Sequence, residues 1–185
     1  MRRSYGFTLV ELLVVMTILG ILSAIAVPSL QRFIRSSSMS SAVNTFMADA
    51  RYARSEAIRR GGGVVLCRSN FPEAAAPVCN TGSGPGGNGW VSGWIVFHDL
   101  NRDGDKDANE PVLRVQAAIT SVNSIVDAPA STKLNFVGSG RLNLGALASF
   151  QFGSTPQFAN SEQRVLCVSR GGRVRIAGDG TAGCA

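Results

Sequence analysis

The chain has 185 residues, 45% of them hydrophobic and 16% charged, with 18 Lys and Arg against 12 Asp and Glu for a net charge of +6. That is the length of one domain plus an appendage and the apolar content of a folded chain, which excludes a highly charged disordered polymer. The charge is uneven: residues 99–110 hold five of the acids, whereas residues 164–175 hold four Arg and no acid, so part of the surface is expected to be basic.

The first element is "YGFTLVELLVVMTILGILSAIAVPSL", residues 5–30. Residues 7–30 are apolar over a length that suffices for a transmembrane helix, about 20 residues. Arg2 and Arg3 precede the run, which fits a cytoplasmic N-terminus. Glu11 interrupts it, and a carboxylate at the centre of such a helix costs roughly 2.5–3.5 kcal/mol. A secretory signal cut after Ala24-Ile25-Ala26 is one reading, but the apolar pattern continues past that point. A plain membrane anchor is a second, and it leaves Glu11 unexplained. A third comes from Arg2-x-x-x-Gly6 followed by Phe7-Thr8-Leu9-Val10-Glu11, with Pro28 further along the run. This pattern resembles the class III signal of type IV pilins and type II secretion pseudopilins.

The resemblance implies that a prepilin peptidase cuts between Gly6 and Phe7 and that Phe7 is then methylated. It implies a single-pass protein of the bacterial inner membrane with its globular part in the periplasm, assembled with other minor and major pilins or pseudopilins. It also implies a role for Glu11. Cleavage creates an α-amino group, whose pKa is about 7.7–8.0, and in the family the acid pairs with that amine on a subunit already in the filament. A buried carboxylate is tolerated when it is paired.

Beyond Pro28 the pattern turns amphipathic. Val43, Phe46, Met47, Ala50, Ala53, Ala57 and Ile58 recur at helical spacing, with Arg51, Arg54 and Arg59 away from that stripe. Pro28 predicts a kink, the Ser-rich stretch 36–41 predicts a loosened segment, and Gly61, Gly62 and Gly63 predict the helix end. The expected organisation is a leader (1–6), a transmembrane and assembly helix (7–30), an amphipathic helix (31–62) and a β-rich globular domain (63–185).

From residue 63 the pattern is β. The runs "VVLCRS", "GWVSGWIVFHD", "PVLRVQAAI", "TKLNFVGSG", "LASFQFG", "QRVLCVS" and "GRVRIAG" are short, rich in Val, Ile and Phe, and separated by turn residues. They predict six to eight antiparallel strands with the helix packed on them, an α+β fold. Trp90 and Trp94 are expected on one face of one strand, and "NTGSGPGGNG" (80–89) is expected to be a mobile loop. Cys67, Cys79, Cys167 and Cys184 lack any C-x-x-C pair. An even number of cysteines behind a membrane-targeting segment suggests disulfides between sequence neighbours, Cys67 with Cys79 and Cys167 with Cys184, free buried thiols being the alternative. The stretch "GWVSGWIVFHDLNRDGDKDANEPVLRV" resembles the hairpin of the GspH/FimT branch of minor pseudopilins and minor pilins, which extends the resemblance over most of the chain.

No cofactor is required by this pattern, but the turn in that stretch also fits a calcium loop. Asp99, Asn101, Asp103, Asp107 and Glu110, with Gly104, match D-x-N-x-D-G-x5-E. Against calcium, the flanks read as strands and Lys106 stands where such loops place an aliphatic residue. A polar turn rich in Asp, Asn and Gly is the alternative.

No enzyme signature is present, so function is expected in assembly and binding. The candidate binding motif is "SRGGRVRIAG", with Arg170, Arg173 and Arg175. In an extended strand Arg173 and Arg175 share a face, and Arg suits bidentate phosphate contacts. Gly172-Arg173-Val174-Arg175 resembles the G-R-x-R motif of FimT-type minor pilins, which implies DNA as a partner during uptake. A basic edge strand that resists unwanted pairing is the plain alternative. Two functions stay open: a type IV minor pilin that binds DNA non-specifically, and a type II secretion pseudopilin at the filament tip with no nucleic-acid role.

Overall fold

The structure is a computed structural model that describes residues 8–128, 133–143 and 147–184. Gly6 and Phe7, the expected cleavage pair, lie outside the described residues. The chain divides into two compact units, Met1–Ser37 and Ser38–Ala185.

Helix α1 spans Leu9–Arg60. Its apolar first part is exposed and is long and apolar enough to cross a membrane. Pro28 lies inside the helix, and residues 36–41 are helical, contrary to the loosening that their weak propensity predicts. Met39, Ala42 and Val43 are already buried there, and tertiary burial overrides propensity. The other end falls as the glycines predict. Gly61 takes φ 75° and the Gly62 amide donates to the Ala57 carbonyl at 2.8 Å, which closes the last turn.

In the second unit α1 buries the expected stripe of Val43, Phe46, Ala50, Ala53 and Ala57, but Ile58 is 52% exposed. Phe46 is the hub. Its ring lies 5.5 Å from Trp90, 5.2 Å from Trp94, 4.6 Å from Phe150 and 5.8 Å from Phe152. Beside it sits a buried acid that the periodicity does not announce. Asp49 accepts a hydrogen bond from the Trp94 indole at 2.8 Å and pairs with Arg114 at 2.9 Å. Burial pushes its carboxyl above the usual carboxylate range, against the pull of Trp94 and Arg114. These bonds tie α1 to two strands 45 and more residues away.

The strands are β1 (Val64–Arg68), β2 (Trp94–His98), β3 (Val112–Gln116), β4 (Ile125–Ala128), β5 (Lys133–Phe136), β6 (Ala148–Phe152), β7 (Arg164–Val168) and β8 (Val174–Gly178). They form two antiparallel sheets of order β3-β2-β1-β5 and β4-β6-β7-β8. Core residues of both sheets, from Leu66 and Val96 to Phe150 and Leu166, join the α1 stripe in one cluster. The fold is the expected α+β arrangement, a long N-terminal helix followed by antiparallel sheet.

Two local expectations need correction. Trp90 is not in a strand; it lies in a 3-10 turn, Trp90–Ser92, and Gly93 at φ 105° reorients the chain before β2. Both tryptophans are still buried, because the bend delivers each indole to Phe46. Strand β4 is absent from the predicted set: it is only four residues long and carries Asp127 on a sheet edge. Residues 80–89 carry bonds to the rest of the unit. Buried Arg68 donates to the Asn80 carbonyl at 3.1 Å and to the Thr81 carbonyl at 2.6 Å, and the Gly89 amide donates to the Ser83 carbonyl at 2.7 Å. Cys67 is bonded to Cys79 and Cys167 to Cys184, so each bridge closes a short stretch of sequence.

Candidate nucleic-acid interface

The basic motif lies on the β7–β8 hairpin. Gly172 donates its amide to the Ser169 carbonyl at 2.8 Å, and the Ser169 amide donates to the Arg173 carbonyl at 2.9 Å. The Arg173 amide also donates to Ser169 Oγ at 3.2 Å. Arg170, Arg173 and Arg175 are all exposed. Arg175 is paired in register with Cys167, so its side chain shares a face with the Cys167–Cys184 bridge. Leu166 and Val168 alternate to the other face and enter the core. The outer face of the hairpin is thereby basic while the inner face anchors it. Strand β8 is also a sheet edge, so charge here serves edge protection as well.

Gly172 has a packing role that its place in the motif does not reveal. It sits at φ 71°, and a Cβ there would collide with the Gly140 carbonyl oxygen. The Arg170 carbonyl accepts from the Leu142 amide at 2.9 Å. The hairpin turn and the turn after β5 therefore meet backbone to backbone. Beneath them lies Arg54 of α1, whose Nη1 donates to the Gly172 carbonyl at 3.4 Å. Its Nε is buried without a hydrogen-bond partner. The helical stripe placed Arg54 away from the core; in the fold it is half-buried under the motif.

The acidic turn is organised differently from the expected calcium set. Asp99 is buried, and its carboxylate accepts from the Arg102 amide at 2.6 Å and the Gly104 amide at 2.8 Å. Burial pushes this carboxyl up, the Gly104 and Arg102 amides pull it back, and Glu110 and Asp103 push it further up. Glu110 accepts from the Leu100 and Asp107 amides at 2.7 and 2.9 Å. Asn101 Nδ2 donates to both Asp103 and Asp107, at 2.8 and 3.0 Å. Among the described residues no group of three or more His, Cys, Asp or Glu is placed to hold a metal ion. The physical reason is that Asp99 and Glu110 are turned onto backbone amides of the turn, and a donor NH2 occupies the space between the other two acids.

Glu11 has a local partner. The Thr8 amide and hydroxyl donate to Glu11 Oε2 at 2.9 and 2.8 Å, and the Glu11 amide donates to Thr8 Oγ1 at 3.2 Å. This is a capping box at the start of α1, and the Thr8-x-x-Glu11 spacing announces it.

Residues 42–172 match the sequence model of a family described as type II transport protein GspH. Residues 1–27 match the prokaryotic N-terminal methylation motif. Prepilin peptidase-dependent protein D of Escherichia coli (strain K12) is 37% identical over 62 residues, 34% of this chain and 42% of that protein. Fimbrial protein EcpC of Eikenella corrodens is 54% identical over 39 residues, 21% of this chain and 26% of that protein. The chain thus spans less than half the length of these curated relatives. Two crystal structures of the type IV minor pilin FimU of Pseudomonas aeruginosa (strain PAO1) are similar in fold. Their TM-scores are 0.59 and 0.52, each at 19% identity, covering 83% and 79% of this chain and 98% of FimU.

Proposed function

The chain belongs to the GspH family, a family of minor pilins and pseudopilins, and from that premise we propose that it is a type IV minor pilin whose hairpin binds DNA. In this reading residues 1–6 are removed by a prepilin peptidase, Phe7 becomes the methylated N-terminus, and residues 7–30 anchor the subunit in the inner membrane and the filament. Residues 31–62 and 63–185 form the helix and globular domain exposed in the periplasm. Other pilins are its partners. The processing step is supported by the methylation-motif match over residues 1–27. Mass spectrometry of the mature protein is expected to find a methylated Phe7 at the N-terminus, and a start at Val27 would refute the step.

The observation that carries the DNA reading is the exposed trio Arg170, Arg173 and Arg175 on one hairpin. Phosphate contacts carry no base information, so binding is non-specific. About three phosphates neutralised imply a log–log salt slope of roughly −3 on duplex DNA and a Kd near ~10⁻⁴–10⁻⁶ M at physiological salt. Such a grip suits a filament that must release what it pulls. Replacing both Arg173 and Arg175 with Gln is expected to abolish the shift in a gel or NMR titration and leave the melting temperature unchanged. If the double variant binds like the parent, the hairpin is a protected edge, and the role of a secretion pseudopilin, which the GspH description favours, takes its place.

A further inference from the structure

We propose that the DNA-binding surface is assembled from three chain segments rather than one strand, and that Arg141 is a phosphate-contacting residue within it, set over Arg54. This rests on the DNA reading above and extends it to residues that no motif contains. Residues 137–141 form a tight turn closed by the Gly140 amide on the Val137 carbonyl at 2.8 Å and the Val137 amide on the Arg141 carbonyl at 2.9 Å. Leu142 is bridged to Phe136 and buried in the core. Alternation then turns Arg141 outward, and it is exposed. The Leu142 amide bonds the Arg170 carbonyl, and Gly140 meets Gly172 backbone to backbone. Arg141 is therefore fixed beside the hairpin turn that carries Arg170 and Arg173.

Charge supports the same assignment. Among the described residues, Arg54, Arg141 and Arg173 take part in no ion pair. Three acids have partners of their own: Glu56 with Arg59 and Arg60, Asp49 with Arg114, Asp179 with Thr181. Arg54 adds a half-buried cation whose Nε has no hydrogen-bond partner under the junction, and a charge held in low dielectric projects a stronger field than a solvated one. Arg173, just before β8, and Arg175 within it stand two residues apart, about 6.6 Å in extended chain, and Arg141 lies on the turn that meets their hairpin. Cations spread over adjoining segments fit an extended polyanion, the phosphodiester backbone, better than a single small anion.

The test is fluorescence anisotropy of a labelled duplex with the detergent-solubilised full chain over a range of salt. One phosphate contact contributes about −0.9 to the log–log slope, which at 0.15 M salt is roughly a fivefold change in affinity. Arg141→Gln is expected to weaken binding about fivefold and flatten the slope by about 0.9. Arg141→Lys is expected to keep the slope, and Lys106→Gln, an equal charge loss in the acidic turn, to leave both unchanged. If Arg141→Gln binds with the parent's affinity and slope while the Arg173/Arg175 double variant fails to bind, the extension is overturned and the strand reading stands. If Lys106→Gln weakens binding as much as Arg141→Gln, the effect is net charge and the assignment falls. A parent chain that does not bind overturns both readings together.

Discussion

Replacing Phe46 with Ala is expected to destabilise the globular unit by about 3–5 kcal/mol, the range for deleting a fully buried aromatic ring. Phe46 is completely buried and is in ring contact with four aromatic side chains from three separate elements. Its loss forfeits the transfer free energy of the ring and the edge-to-face contacts, and leaves a cavity that rigid neighbours cannot fill. For a unit of this size the melting temperature is expected to fall by roughly 10–15 °C. Phe46→Leu, which refills much of the volume, is expected to lose less than half as much. Denaturant unfolding of a soluble fragment starting near Arg35 measures both, and a loss below about 1 kcal/mol for the alanine variant would contradict the hub.

Glu11→Ala is expected to abolish incorporation into filaments while membrane insertion and the globular fold remain intact. The local capping box separates two explanations. Losing the cap is worth about 1 kcal/mol of helix stability, too little to stop assembly. If, as proposed, the carboxylate pairs with the Phe7 amine of a neighbouring subunit, its loss removes a buried counter-charge, a loss of several kcal/mol at the interface. Thr8→Ala breaks the box and keeps the carboxylate. It is expected to assemble near the parent level, measured as the fraction of subunit in sheared filaments. Equal defects in the two variants would assign Glu11 to capping, and normal assembly of Glu11→Ala would remove its intersubunit role altogether.

The long-range polar contacts are where sequence reading stops. The α1 stripe, its glycine stop and most strands follow from local patterns: Phe46 and Ala50 recur at helical spacing, and Gly61 takes the left-handed conformation that ends a helix. The basic motif was legible too, as a cluster of like charge within six residues. Asp49 was not, since what makes a carboxylate tolerable inside an apolar stripe is Trp94, 45 positions away. Arg54 and Arg141 were illegible for the same reason, because their relation to Arg173 exists only once Gly140 and Gly172 touch. The acidic turn reads differently in one dimension and in three. Its residue types fit a calcium loop in one dimension, yet backbone amides within the same turn compete for Asp99 and Glu110. Thr8-x-x-Glu11 was readable and overshadowed by the charge cost of Glu11.

The Cys167–Cys184 bridge spans 17 positions of sequence, and Arg170, Arg173 and Arg175 all fall inside that covalent ring. An exposed run of arginines is what trypsin-like proteases cut. Hydrolysis of one peptide bond within the ring opens it without releasing a piece, since both new ends remain joined through sulfur. The basic hairpin can thus be nicked once and still stay on the subunit that carries it.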